Sequence, residues 1–219
     1  MNWRKAFILV EGQTEERFVK TVLLPEMPEG LYLQPVIVAT KRVNSGGKFK
    51  GGVPTYDKVR GEVVRLLNDS SAMMVTTMLD YYGLPSTFPG KANPQGSNAR
   101  EKVRFIEQSW DSDISSNRFK AYLSLHEFEA LLFSQPEKIA QGFAKPMLVT
   151  DLNSIRNSFA TPEEINDNPA TAPSARLASL YARYSKPFFG ALIASRIGLP
   201  AMLQSCQHFA AWVSFLRSL

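Results

Sequence analysis

Apolar residues along this chain fall into short unbroken runs that alternate with stripes at helical spacing. Residues 5–10 form the first run, closed by glycine just beyond Glu11, and read as a buried strand. From Thr14 the period changes: Phe18, Val19, Val22 and Leu23 share one helical stripe. Glu15 and Glu16 suit the start of that helix, and Pro25 and Pro28 stop it. Residues 33–39 (LQPVIVA) predict a second strand, and the stretch TKRVNSGGKFKGGVP that follows has no period. Tyr56, Val59, Val63 and Leu66 predict a second helix. Residues 72–79 (AMMVTTML) predict a third strand, apolar enough for the centre of a parallel sheet, with Asp80 at its end. Ala99, Val103, Ile106 and Trp110 mark a third helix. Phe119, Ala121, Leu123 and Leu125 then alternate with Lys120, Tyr122 and Ser124, as in a half-buried or edge strand, before HEFEALLF opens another helix.

Strand and helix therefore alternate four times within residues 1–135. This order predicts an α/β core with a mainly parallel four-stranded sheet between helices. Residues 136–219 read as a helical extension packed on that core. Helix starts are expected at Ser154 and at Thr161-Pro162-Glu163-Glu164, and helical patterns over residues 177–184 and 188–219, the latter broken near Gly198-Leu199-Pro200.

With 219 residues the chain can bury roughly 70% of its unfolded surface and needs no covalent staples. A lone cysteine, Cys206, excludes an internal disulfide framework and suits a reducing compartment. The first apolar run is too short for a secretory leader, and no run nears the ~20 residues of a membrane span. A cytoplasmic protein without a membrane partner is expected. Net charge is +5, and the surplus concentrates in residues 41–60. There Lys41, Arg42, Lys48 and Lys50 are candidate contacts to a nucleic-acid backbone, although a solvated loop explains the same composition. If about three of them met phosphates, log affinity would fall with log salt at a slope near −2 to −3.

Candidate chemistry sits at the strand ends, where open parallel sheets gather ligands. Glu11 follows the first strand, Asp80 the third, and Glu127 and Glu129 the fourth. Acids brought together repel, and a divalent cation offsets that cost. Oxygen ligands without a histidine or cysteine cluster suit Mg²⁺ or Mn²⁺. Each acid also has a plain structural reading. Glu11 and Glu15 serve the first turn of a helix; Asp80 serves a turn ahead of Gly83; Glu127 completes a capping box with Ser124. Glu127 and Glu129 lie about 200° apart on an ideal helix, so both face one site only if that helix starts late. Two histidines are too few for a histidine-based metal site, while His126 beside Glu127 could orient a ligand or donate to phosphate. GGKFKGG lacks the GK[ST] of a phosphate-binding P-loop, and no GxSxG elbow occurs.

The stretches LVEGQTEERF, MLDYYGLP and LHEFEALLF together resemble a Toprim-type domain. They are most similar to a bacterial family of unknown function related to OLD-type and RloB-like defence nucleases. PEEINDNPATAPSARL and CQHFAAWVSFL extend the resemblance over nearly the whole chain. It implies a Toprim fold in which Glu11 acts as acid/base or metal ligand, with Glu15 beside it as a second catalytic candidate. Asp80 matches the first acid of a DxD motif whose second position is here Tyr82. Glu129, with Glu127, stands as the substitute ligand. The implied activity is Mg²⁺- or Mn²⁺-dependent phosphodiester cleavage of DNA or RNA in anti-phage defence, alongside a separately encoded ATPase. The missing DxD acid leaves an alternative open, a non-catalytic subunit that docks on and regulates such an ATPase. Phosphoryl transfer to a small nucleotide stays open, as does a homo-oligomeric state.

Overall fold

The computed structural model describes residues 4–38, 53–166 and 169–219. Its centre is a parallel sheet in the order β2-β1-β3, flanked beyond β3 by two short strands. β1 (Arg4–Val10) pairs with β2 (Leu31–Ile37) on one side and β3 (Ala72–Asp80) on the other. β4 (Phe119–Lys120) and β5 (Leu123–Ser124) both pair with β3. Pro35 lies in β2, at the sheet edge where its missing N–H costs no ladder bond.

The unbroken apolar runs reflect burial on both faces. Successive β1 side chains point to opposite sides. Ala6, Ile8 and Val10 join one core, and Phe7 and Leu9 the other. The second core is closed by α2 (Tyr56–Leu67) and α3 (Ala99–Ile114). α2 buries the expected stripe, and α3 buries Val103, Ile106 and Trp110. The first core is closed by α1 (Gln13–Phe18) and by helices from the second half of the chain. Those are α4 (Pro136–Gly142), α5 (Val149–Asn157), α6 (Pro173–Leu180), α7 (Lys186–Ile197), α8 (Leu199–Ser205) and α9 (Gln207–Arg217). The expected break falls at Gly198, whose φ of +80° is a conformation that glycine adopts readily. A second break at Cys206 has no glycine or proline to announce it.

Several expectations are corrected. The fourth strand is interrupted, because Thr76 and Thr77 hydroxyls take over its backbone. Thr76 Oγ1 donates to the Lys120 carbonyl at 2.6 Å, and Thr77 Oγ1 accepts from the Tyr122 N–H at 2.9 Å. This strand lies at the sheet edge with Lys120 exposed, as expected, while Tyr122 on the same face is covered by Trp212 of α9, their ring centroids 4.4 Å apart. α1 runs on through a wide π turn (Val19–Leu23) and a 3-10 turn (Leu24–Glu26) that contains Pro25. The helix from HEFEALLF is a 3-10 helix over Phe128–Ser134. Residues 162–164 form one 3-10 turn, and the helix expected from Ser154 begins at Val149. Among the described residues no helix is long and apolar enough to cross a membrane.

Candidate functional site

Because the strands run parallel, their carboxyl ends share one edge. Glu11 leaves β1 there, Asp80 is the last residue of β3, and the chain leaving β5 reaches Glu127 three residues on. Glu127 keeps an extended backbone (φ −144°, ψ 155°) and the 3-10 helix begins only after it, at Phe128. That late start brings Glu127 and Glu129 to the same lysine. It also removes the expected capping box: Ser124 lies in β5, and Glu127 occupies the cap position itself.

The second half of the chain closes the site with Lys186, the first residue of α7, and with Tyr184 just before it. A shared pattern emerges at three acids. Asp80 Oδ1 accepts the Phe128 N–H at 2.9 Å, and Oδ2 lies 4.0 Å from Lys186 Nζ. Glu127 Oε2 accepts the Ser174 N–H at 2.9 Å, and Oε1 lies 3.9 Å from Nζ. Glu129 Oε1 accepts the Tyr184 hydroxyl at 3.0 Å, and Oε2 meets Nζ at 2.9 Å. In each carboxylate one oxygen is held and the other turns to a common cation. Glu15 Oε2 accepts the Gly12 N–H at 3.0 Å, and Glu11 Oε2 is buried with no hydrogen-bond partner among the described residues.

Charge balance follows from this crowding. Burial raises the Asp80 pKa well above the usual range; Lys186 opposes the shift and Glu11 and Glu15 add to it. Burial likewise raises Glu11 and Glu129, each opposed by Lys186 and reinforced by neighbouring glutamates. Glu15 is pushed up to about 7 by burial, with Glu129 and Glu11 adding to it. Burial would lower Lys186, but Glu129, Asp80 and Glu127 outweigh it and hold the ammonium charged. Tyr184 stays protonated, raised by burial and by Glu129, and so remains a donor. The lysine side chain is 38% exposed, and Glu11 is half-buried, so the cluster opens to solvent on that side.

Other candidates are placed elsewhere. The His126 ring sits 6.4 Å from Tyr81 and lines a cavity of about 320 Å³ with Lys102, Glu164 and Asn166. Tyr82, at the second DxD position, is exposed. Lys41, Arg42, Lys48 and Lys50 lie outside the described residues. The buried Glu163 is structural: its carboxylate accepts the N–H groups of His208 and Phe209, both at 2.9 Å, at the start of α9. Lys186 and Tyr184 were not anticipated.

The family model described as a domain of unknown function, DUF4276, matches residues 10–217. The chain belongs to the DUF4276 family. No curated protein matches it. Among solved structures this DUF4276 chain is weakly similar to the C-terminal region of an OLD protein from Xanthomonas campestris pv. campestris. Identity is 13%, the TM-score 0.35, and the match covers 96% of each chain.

The site of this DUF4276 chain meets part of what a divalent cation requires. Its donors are all oxygen, the chemistry a hard cation takes. Three carboxylates present one oxygen each to Lys186 Nζ, and Glu11 Oε2 is buried without a hydrogen-bond partner among the described residues. With Lys186 seated, no group of three or more acidic, histidine or cysteine side chains among the described residues is spaced to hold a metal. Donor type fits the ion, but the spacing, set around the Lys186 ammonium, does not.

Proposed function

We propose that this chain is a divalent-metal-dependent phosphodiesterase acting on DNA or RNA, an effector in anti-phage defence that works beside a separately encoded ATPase. One observation carries the catalytic part of the reading: Asp80, Glu127 and Glu129 each have one oxygen held by a hydrogen-bond donor and the other turned to one cation. A carboxylate that served only to cap or to pair would not need that arrangement three times over. The nucleic-acid and defence parts rest on the sequence resemblance to OLD-type and RloB-like proteins.

Glu11, Asp80, Glu127 and Glu129 would hold Mg²⁺ or Mn²⁺. When bound, such an ion supplies Lewis-acid stabilisation of the attacking and leaving oxygens of a phosphodiester. The chain's own groups do the rest. Glu11, half-buried at the open side, accepts the proton of the attacking water. Glu15, titrating near neutrality, can pass that proton on. The Phe128 and Ser174 amides and the Tyr184 hydroxyl fix the carboxylates, so little reorganisation is left for the reaction itself.

The test is Mn²⁺ binding followed by cleavage of single- and double-stranded substrates, for wild type and Glu11→Gln. Glu11-dependent cleavage, lost roughly 10²-fold or more in the variant, is the expected result. A second reading has its own support in Tyr82, which replaces the second acid, and in Lys186, which already compensates the cluster. In that reading the chain is a non-catalytic subunit docked on an ATPase. A folded protein with neither Mn²⁺ affinity nor cleavage would select it.

A further inference from the structure

We infer that a cavity at the sheet edge, between α3 and α9, binds a nucleotide, with its phosphate at the rim and an amino-bearing base at the floor. The cavity has a volume of about 300 Å³, the low end of the range for small-molecule sites. No residue of the acidic cluster lines it, so the inference stands apart from the metal-dependent reading above. Its floor is Glu107 and His208, both more than nine-tenths buried, with His208 Nε2 2.9 Å from Glu107 Oε1. Tyr122 and Trp212, stacked on each other, form an aromatic wall. Arg104 and Gln108, one turn apart on α3, stand exposed at the rim with Lys120 of β4.

The fold alone accounts for part of this arrangement. Glu107 Oε1 also accepts the Leu123 N–H at 2.8 Å, and Asp111 Oδ1 accepts that of Ala121 at 2.6 Å. Two carboxylates of α3 thus cap amides that the edge strand turns outward. The rest has no such explanation. Glu107 Oε2 accepts no hydrogen bond among the described residues and, unlike Glu11 Oε2, keeps access to solvent. A largely buried carboxylate oxygen gains most from a donor brought to it. Lys120 is held 3.3 Å from Asp111, whereas Arg104 has no carboxylate within ion-pair distance among the described residues. A free guanidinium offers a planar fork that fits phosphate oxygens. Between the two ends, the aromatic wall suits a flat ring. Anion, flat ring and N–H donor, in that order, describe a nucleotide whose base carries an exocyclic amino group. A base with a carbonyl there would set one acceptor against another. A free mononucleotide and the phosphorylated end of an oligonucleotide offer the same chemistry.

The experiment is isothermal titration calorimetry of the full chain, as wild type, Arg104→Ala and Glu107→Gln, with folding of each verified by circular dichroism. The probes are the monophosphates of cytidine, uridine, adenosine and inosine, and unphosphorylated cytidine. Wild type should bind the amino member of each pair, cytidine over uridine and adenosine over inosine monophosphate, roughly tenfold more tightly. Arg104→Ala should weaken cytidine monophosphate roughly tenfold and leave cytidine itself nearly unchanged. Glu107→Gln keeps an acceptor for Leu123 but turns the free acceptor into a donor, so it should reverse both preferences. Binding of no monophosphate by wild type, or equal binding within both pairs, overturns the inference. So does an affinity for cytidine monophosphate that Arg104→Ala leaves untouched. If Glu107→Gln does not fold, wild type and Arg104→Ala, changed only at an exposed position, decide the matter. An end-phosphorylated oligonucleotide starting with cytidine separates the two sources: tighter binding than the monophosphate supports the inference with a nucleic-acid end as ligand, weaker binding with the free nucleotide.

Discussion

Glu15 carries two loads that pull its proton in opposite directions. Its carboxylate accepts the Gly12 N–H, which favours the ionised form, yet burial and the neighbouring Glu129 and Glu11 push its pKa from 4.5 to about 7. Between those values the folded chain binds more protons than the unfolded chain, so stability falls as pH rises from about 4.5 to about 7. The cost of ionising this one group is on the order of 3 kcal/mol. The protein should therefore melt at a higher temperature at pH 5 than at pH 7.5, relative to Glu15→Gln, which keeps an acceptor for Gly12 but cannot ionise. Parallel melting-temperature profiles for the two proteins would refute this. Glu11, Asp80 and the two later glutamates were legible in the sequence because acids interrupt or end apolar runs, where solvation alone would not put them. Their anchoring was not legible, since it comes from backbone N–H groups and from Tyr184, whose positions only the folded chain sets. Lys186 left one faint signal, a lysine at the first position of a helix, against the dipole.

Elements locate these groups through a few close approaches. α7 crosses α1 where Gly190 meets Thr14, and a Cβ at Gly190 would stand 2.5 Å from Thr14 Cγ2. That contact sets how far the α7 N-terminus, with Lys186, reaches over the strand ends. Gly190→Ala should cost about 1–3 kcal/mol through overpacking. It should also raise the rate at which acetic anhydride acetylates Lys186, read by mass spectrometry, because the lysine is lifted from the acids. Thr14→Ser, which removes the methyl group at fault, should reverse much of both effects when combined with Gly190→Ala, as a double-mutant cycle in urea would measure. Additive losses would mean the contact is not what seats α7. Helices with a regular stripe, such as α2, were readable because their period is local. The interruption between β4 and β5 was not, because it depends on Thr76 and Thr77, more than forty residues away in sequence, bonding to the strand through their side chains. The 3-10 start at Phe128 escaped for the same reason: Asp80, on another strand, holds its N–H.

At the scale of the whole molecule, the two halves of the chain share one core. Phe18, Phe128 and Phe133 from the first half pack in the same apolar cluster as Ile193, Ala194, Met202, Phe209 and Val213 from the second. Trp212 adds a polar tie, its indole N–H donating to Thr76 Oγ1 of the central strand at 3.0 Å. The site is divided in the same way, with its acids before residue 130 and Ser174, Tyr184 and Lys186 after it. The change of period near residue 135 marks the later helices as an extension packed on the α/β core, but a change of period does not show which surfaces meet. Residues 1–135 expressed alone would expose one face of the sheet and leave Asp80, Glu127 and Glu129 without their cation. They should give no cooperative urea transition by circular dichroism, and the full chain should give one. Trp212→Ala in the full chain tests the same interface more gently, with an expected loss of about 3–5 kcal/mol from the vacated stack on Tyr122 and the lost bond to Thr76. A cooperative transition for residues 1–135 close to that of the full chain would mean that the α/β half holds itself together, and that the later helices only supply the lysine and tyrosine.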